Sequence, residues 1–292
     1  MFELCAAGPQ TYYVNCPSRI GICRLSEQEI CLIDSGNDKD AGKKIIKILS
    51  EQGWRPVMVL NTHSHADHIG GNAVLRERLD CPAYIAGPDR AFAEAPILEP
   101  AFLYGGYPCK KLRNKTLLAQ PSEARELTAD ILPAGMELLP LPGYSFAMTA
   151  FHTADDVWFV GDAVTSPLIL EKYPVSFVYD VAACLDSLDR LEQLEGRLFV
   201  PSHAEPTADI RPLVQKNREK LYALLDQIRE LCAAPVSFET LFTRLFQDSG
   251  YRMDLTQYVL SASTVRSCLS YLCDRGELTA EVEEHLPLWK TV

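Results

Sequence analysis

The chain is short of histidine, of positive charge and of long apolar runs. Only six of its 292 residues are His. Lys and Arg number 28 against 39 Asp and Glu, for a formal net charge of −11. Such a surface repels nucleic-acid phosphates unless a local basic patch overrides it, so a nucleic-acid partner is disfavoured. The densest basic stretch is Lys110-Lys111-Leu112-Arg113-Asn114-Lys115. It reads as a solvated loop or as an anion-attracting rim. No apolar run reaches the length that crosses a bilayer, so no membrane partner is expected. Met1-Phe2-Glu3-Leu4-Cys5 has neither the basic nor the apolar region of a secretory signal, and the chain reads as cytoplasmic. Ten cysteines are scattered without a C-x-x-C pair. That spacing argues for reduced, buried thiols in a cytosolic protein, with Cys109 the one candidate for reactivity. Neither a solenoid-length repeat nor a low-complexity stretch is present.

Against that scarcity, three of the six histidines fall in His63-Ser64-His65-Ala66-Asp67-His68, followed by Ile69-Gly70-Gly71. Imidazoles and a carboxylate packed this closely cost stability if left buried and unpaired. They are also the ligand types that divalent zinc, iron and manganese take from proteins. The preceding Val57-Met58-Val59-Leu60 reads as a buried strand, and Asn72 to Leu79 reads as a helix. The cluster therefore sits on a turn at the carboxyl end of a strand, where sites lie in layered α/β folds.

This pattern resembles the metallo-β-lactamase superfamily, whose signature is H-x-H-x-D-H followed by small residues. The resemblance runs over roughly residues 10 to 205. Asp34 in Cys31-Leu32-Ile33-Asp34-Ser35-Gly36, Asp162 in Phe159-Val160-Gly161-Asp162-Ala163 and His203 in Val200-Pro201-Ser202-His203-Ala204-Glu205 fall in matching segments, in the matching order. It implies an α/β (α+β) fold, a four-layer αββα sandwich. It also implies two metals bridged by Asp162: one held by His63, His65 and a further histidine, the other by Asp67, His68 and His203. The family places that further histidine after a Pro-Gly turn. Here the segment is Leu141-Pro142-Gly143-Tyr144-Ser145, and Tyr144 stands in its place. His152 lies eight positions on and reads as an exposed strand-end residue. Tyr144 has two readings: a phenolate ligand, for which a metal must lower a phenol pKa of about 10, or a hydrogen-bonding group for water or substrate.

The rest of the chain reads as strands Tyr12 to Asn15, Ile20 to Leu25 and Glu29 to Asp34, a helix from about Asp40 to Gln52, and a strand Ala83 to Ala86. Residues 96 to 127 mix Pro, Gly and aromatics and read as a long irregular loop whose Phe102, Tyr104 and Tyr107 line a pocket or a subunit contact. Strands follow at Met136 to Leu141, Met148 to Thr153, Val157 to Gly161 and Leu198 to Pro201, with a helix from Val181 to Glu195 between the last two. The domain reading is 1-206 for the metal-binding domain, 207-234 for a connecting helix and 235-292 for a winged-helix-like unit. That unit has helices Phe238 to Gln247, Leu255 to Ser261 and Thr264 to Asp274, then a wing from Glu277 to Trp289. From Pro235 onward there are five basic and eight acidic residues, too few positive charges for a DNA reader. It reads instead as a packing, dimerisation or active-site-covering module, which leaves a homodimer as an option.

The chemistry expected is metal-assisted hydrolysis, a metal-activated water attacking an ester, thioester, lactone or phosphodiester of a small-molecule substrate. One or two divalent ions would serve, zinc first, with iron or manganese as alternatives. Asp67 and Tyr144 are the candidate catalytic residues. His63, His65, Asp67, His68, Asp162 and His203 are the candidate ligands. Readings from other classes are a metal-binding protein with a degenerate first site and little or no activity, a ribonuclease-like member and a diiron redox member.

Overall fold

A computed structural model describes residues 2–292. Buried apolar residues such as Val14, Ile20, Ile22, Ile30 and Leu32 draw the first strands into an antiparallel run: β1 (Glu3–Ala6), β2 (Thr11–Asn15), β3 (Ile20–Arg24) and β4 (Glu29–Ile33). Helix α1 (Lys39–Glu51) follows, capped by Asp38, whose carboxylate accepts from the Asp40 and Ala41 amides. It buries Ile45 and Leu49. Strand β5 (Arg55–Leu60) then lies parallel to β4 and delivers the histidine turn, which contains the single-turn α2 (Ala66–Ile69) and leads into α3 (Asn72–Leu79). Strand β6 (Ala83–Ile85), helices α4 (Asp89–Glu94) and α5 (Leu98–Tyr104) and strand β7 (Ala124–Glu126) complete the first half. The seven strands form one sheet in sequence order.

The second half holds β8 (Glu137–Pro140), β9 (Thr149–His152), β10 (Val157–Thr165), α6 (Pro167–Lys172), α7 (Val181–Glu192) and β11 (Leu198–His203). Its four strands form a second sheet in the order β11-β10-β9-β8, with β10 and β11 parallel. The two sheets face each other through Ile33 and Leu60 on one side and Phe151, Phe159 and Val200 on the other. The outer face of the first sheet packs on α1 and α3 through Ile22, Ile45 and Leu75. That of the second packs on α7 and on α8 (Arg211–Leu231) through Val160, Leu188 and Val214. Helix, sheet, sheet, helix is the expected four-layer arrangement.

After α8 come β12 (Val236–Ser237), α9 (Phe238–Phe246), α10 (Leu255–Asp274) and the hairpin β13 (Leu278–Glu283) and β14 (Leu286–Thr291). One apolar cluster joins Val178 and Leu185 to Leu225 and Ile228 of α8 and to Leu241, Val265, Leu269 and Leu278 of this last segment. The C-terminal segment is thus continuous in packing with the outer helices of the second sheet.

Two expectations are corrected. Residues 96 to 127 are not irregular throughout. Pro100 lies in the first turn of α5, where its missing N–H costs no intrahelical bond, and Gly105 ends that helix at φ 75°. Pro100 and Gly105 thus mark helix ends, β7 extends the first sheet, and residues 105–123 between α5 and β7 carry neither helix nor strand. Likewise, the two helices expected after Leu255 are one helix of 20 residues. Its mid-helix hydroxyls bond within the helix, Thr264 to the Leu260 carbonyl and Ser267 to the Ser263 carbonyl, so they do not interrupt it.

Candidate metal centre

The site is assembled by Asp34 at the end of β4. Its carboxylate accepts from the Thr62 amide and the Thr62 hydroxyl, each at 2.8 Å. It also lies 2.8 Å from His68 Nδ1. These bonds lock the turn after β5 and direct His68 Nε2 inward. Close backbone approach does the rest. A Cβ on Gly70 would lie 2.4 Å from the Asn37 carbonyl carbon, and one on Gly71 would lie 2.3 Å from the Ser35 oxygen. Only glycine lets the end of α2 and the start of α3 sit against the β4–α1 loop.

The other candidate ligands gather around Asp162, which β10 presents from the opposite sheet. Its Oδ1 lies 3.3 Å from His68 Nε2, and its Oδ2 lies 3.4 Å from His203 Nε2 and 3.9 Å from His63 Nε2. Asp67 Oδ2 lies 3.2 Å from His203 Nε2 and 3.6 Å from His68 Nε2, and it accepts a 2.7 Å bond from the Ser18 hydroxyl. His203 Nδ1 is 3.1 Å from the Pro17 carbonyl. His65, the sixth, lies with its ring centroid 4.7 Å from that of His63.

Whether these groups suit a metal is decided by what they lack. His63 Nε2, His68 Nε2 and Asp162 Oδ1 are buried and have no hydrogen-bond partner. Unpartnered buried polar atoms are costly singly and more so converging. The donor atoms of His63, His65 and Asp162 all lie within 4.8 Å of one another, and so do those of Asp67, His68 and His203. Ligands about 2.0–2.1 Å from a tetrahedral ion stand roughly 3.4 Å apart, so both sets fit a divalent ion after small adjustments.

Electrostatics agree. Burial opposes charge on Asp162, but His203 and His68 hold it well below the usual carboxylate range. Asp67 is also held low, by His68 and His203 against its burial. Burial also opposes charge on His203, yet Asp162 and Asp67 push it up to about 10. His63 is pushed well down, first by burial and then by the other two imidazoles. The pocket is rich in charge and largely buried, the environment in which a cation replaces protons.

Tyr144 stands where the missing histidine was expected. Gly143 before it has φ 119° and touches α7 so closely that a Cβ would lie 2.2 Å from the Cys184 amide nitrogen. The Tyr144 ring centroid is 5.0 Å from that of His65 and 5.3 Å from that of His63. Burial, then Asp162 and Asp67, push its phenol well above its ordinary value. His152, by contrast, stacks on Trp158 at 4.4 Å and lies 2.9 Å from Asp156.

The sequence profile of the metallo-beta-lactamase superfamily matches residues 22–203, more than half of the chain. The chain belongs to the metallo-beta-lactamase superfamily. A Bacillus subtilis (strain 168) protein named "Probable metallo-hydrolase YqgX" is 28% identical over 144 residues, 48% of this chain and 63% of that protein. A hydroxyacylglutathione hydrolase of Cereibacter sphaeroides (strain ATCC 17025 / ATH 2.4.3) is 32% identical over 121 residues, 41% of this chain and 38% of that protein. The chain thus spans less than two thirds of the length of either relative. In fold, a beta-lactamase domain protein from Burkholderia ambifaria matches 99% of this chain and 94% of its own, with a TM-score of 0.74 and 22% identity.

Within this metallo-beta-lactamase fold, some neighbours escaped the sequence reading. Glu99 of α5 is 8% exposed and places Oε1 3.5 Å from His65 Nε2; burial raises its carboxyl. Asp89 of α4 accepts a 2.6 Å bond from the Ser145 hydroxyl, next to Tyr144. Phe177 stacks edge-on against both His65 and Tyr144. Glu99 and Phe177 lie in segments without a motif, so no spacing signal marked them. The expected pocket aromatics are elsewhere. Phe102 packs on Phe92, Phe146 and Tyr179, while Tyr104 and Tyr107 are exposed. The basic stretch is tied to other loops, Lys115 facing Asp38 at 3.6 Å and Asn114 bonding Thr256 of α10.

Asp162, His203 and Tyr144 form one end of a cavity of about 360 Å³. Its walls come from α6, α7, α8 and α10 and from the Tyr173–Val178 loop. The volume lies within the range of small-molecule sites, ~300–1,000 Å³.

Proposed function

We propose that this protein is a metal-dependent hydrolase whose preferred bond is a thioester. The carrying observation is the convergence of three unpartnered buried donor atoms, His63 Nε2, His68 Nε2 and Asp162 Oδ1, beside a small-molecule cavity. The thioester preference is supported by the hydroxyacylglutathione hydrolase relative, since an acylglutathione carries its acyl group on sulfur. Residues 1-206 are read as the metal-holding unit, 207-234 as the connecting helix and 235-292 as a winged-helix-like unit that closes the cavity. No helix among the described residues is long and apolar enough to cross a membrane, and all ten cysteines are free. The free thiols support a reducing, cytoplasmic setting.

His63, His65 and Asp162 would hold one ion, and Asp67, His68 and His203 the other, with Asp162 shared. When bound, a divalent ion supplies Lewis acidity that brings the pKa of water near 7 and polarises a carbonyl. Asp67, fixed by Ser18, orients the attacking water and its proton. Tyr144, kept as a neutral phenol by burial and by two carboxylates, donates to the oxygen on which charge develops. Phe177 and the apolar cavity walls exclude bulk water, which strengthens each of these interactions.

The test is elemental mass spectrometry on protein purified without added metal, followed by a thioester screen that reads thiol release. One to two equivalents of zinc, iron or manganese with turnover supports the reading. No metal after reconstitution with each of the three overturns it. Metal without turnover on any thioester, ester, lactone or phosphodiester would favour the second reading, a binding protein with a weakened first site, which the Tyr144 position motivates.

A further inference from the structure

The cavity beyond the metal ligands has a composition that narrows the substrate. On α8, Asn217, Lys220, Leu221 and Leu224 follow one helical face, and on α10, Gln257, Leu260 and Ser261 do the same. Most of the remaining wall is apolar, with Leu141, Met148, Leu170, Val178 and Leu188 among the lining residues. Some polar groups there are already satisfied. Asn217 bonds both the amide and the carbonyl of Thr165, and Ser187 donates to the Pro142 carbonyl.

Other polar groups of the lining are not, among them Thr165, Ser176 and Lys220. The hydroxyls of Thr165 and Ser176 are buried without a partner. Lys220 is half-buried and makes neither an ion pair nor a side-chain hydrogen bond among the described residues. Its neighbour on the helix, Arg218, is by contrast paired with Asp189 at 2.8 Å and Glu192 at 2.7 Å. Lys220 also lines a second cavity, with Pro174 and Leu224, that contains none of the candidate ligands, and it stands about one turn along α8 from Asn217, which bonds Thr165 beside His203. A cation left unpaired in a largely apolar chamber is matched by an anion that arrives with the ligand.

We propose that this chamber is the acyl subsite, and that it selects an acyl group with an apolar body and a carboxylate at its far end, held by Lys220. The inference rests on the hydrolase reading above for the reaction, but not for the binding. The reaction it selects for is plain hydrolysis: the carbonyl–sulfur bond breaks, water supplies the new carbonyl–oxygen bond, and the thiol leaves with a proton. The product is a dicarboxylate.

Two measurements test it. The first is kcat/KM for N-acetylcysteamine thioesters of straight alkanoyl groups, two to ten carbons, and of their ω-carboxyalkanoyl counterparts. In the wild-type protein the ω-carboxy series should be preferred at matched length. Specificity should rise about fourfold per added methylene until the chamber is full. Lys220→Met keeps the aliphatic stem and should cut the ω-carboxy preference at least tenfold, while Lys220→Arg should restore most of it. Ser261→Trp should flatten the length dependence. The second is calorimetric binding of suberate and octanoate, with suberate tighter in the wild type and the two equal in Lys220→Met.

Thioesters hydrolysed without regard to length or terminal charge, together with equal affinity for the two acids, would overturn the subsite and leave the hydrolase reading standing. Suberate binding that depends on Lys220, with no thioester turned over at any length, would do the reverse.

Discussion

The two halves of the candidate centre draw on one six-residue motif but are not supplied alike. The half built on Asp67, His68 and His203 has a neighbour behind each ligand: Ser18 for Asp67, Asp34 for His68 and the Pro17 carbonyl for His203. The half built on His63, His65 and Asp162 has Thr62 behind His63, at 2.9 Å, and Glu99 at 3.5 Å from His65. Its remaining position is filled by a phenol rather than an imidazole. An oriented imidazole is a preformed ligand, whereas a phenol buried among carboxylates holds its proton. The half built on His63, His65 and Asp162 should therefore bind metal more weakly and leave Tyr144 free to act on substrate.

That contrast can be broken or sharpened. The largest effect is expected where the halves share a group. Asp162→Asn should lower kcat/KM by about a thousandfold or more, on the order of 4 kcal/mol, and reduce metal content in both halves. A variant that loses one equivalent and keeps turnover would show that the halves are not bridged. Next comes Asp34→Asn, which releases His68. Affinity of the tighter site should fall by about 10–100-fold in chelator competition, and that of the weaker site, which Asp34 reaches only through Thr62, by less. Equal weakening of both would mean that Asp34 serves the fold rather than His68.

Tyr144 separates the halves most directly. Tyr144→Phe should lower kcat by about 10–100-fold at constant metal content, as for loss of a donor to the developing oxyanion. Loss of one equivalent instead would make the phenol a ligand. Tyr144→His should tighten the weaker site. Glu99→Gln is expected to be smaller, roughly tenfold in affinity of the weaker site alone. No change there would reduce Glu99 to a packing residue.

A last test addresses the scaffold apart from the centre. Burial pushes the thiols of Cys23, Cys81 and Cys268 up to about 12. Unfolded thiols release protons from about pH 8.5 upward while these folded ones hold them to about 12. Across that window the unfolded state binds fewer protons, so stability falls as pH rises. Denaturant midpoints between pH 8 and 11 should show this decline with the same slope in metal-loaded and chelated protein. A slope that depends on metal would place the alkaline loss in the centre instead.

Much of the candidate centre was legible because its residues are written locally. A strand, a tight turn and a helix start put His63, His65, Asp67 and His68 within six residues, and the glycines after them are required by backbone contacts at 2.3 and 2.4 Å. Strand ends carried Asp34 and His203 for the same reason, since β-pairing fixes where each strand stops, while Asp162 lies inside β10, which runs on to Thr165. Helix α5 and strand β7 were missed within residues 96 to 127, the rest of which is irregular as expected, because Pro and Gly have the same spelling as caps and as breakers, and only packing tells them apart. The single long α10 escaped for a related reason, its hydroxyls being satisfied within the helix.

The sequence by itself determined the family, the layered fold and the six candidate ligands, all of which follow from short-range patterns. Tertiary structure alone decided that Glu99 reaches His65 across more than thirty intervening residues, that Phe177 and Tyr144 wall the site, and that α8 and α10 close the chamber behind Asp162. These are contacts between segments with no common motif. Their energy comes from burial and from charges meeting in a dry interior, and neither can be read until the chain has brought them together.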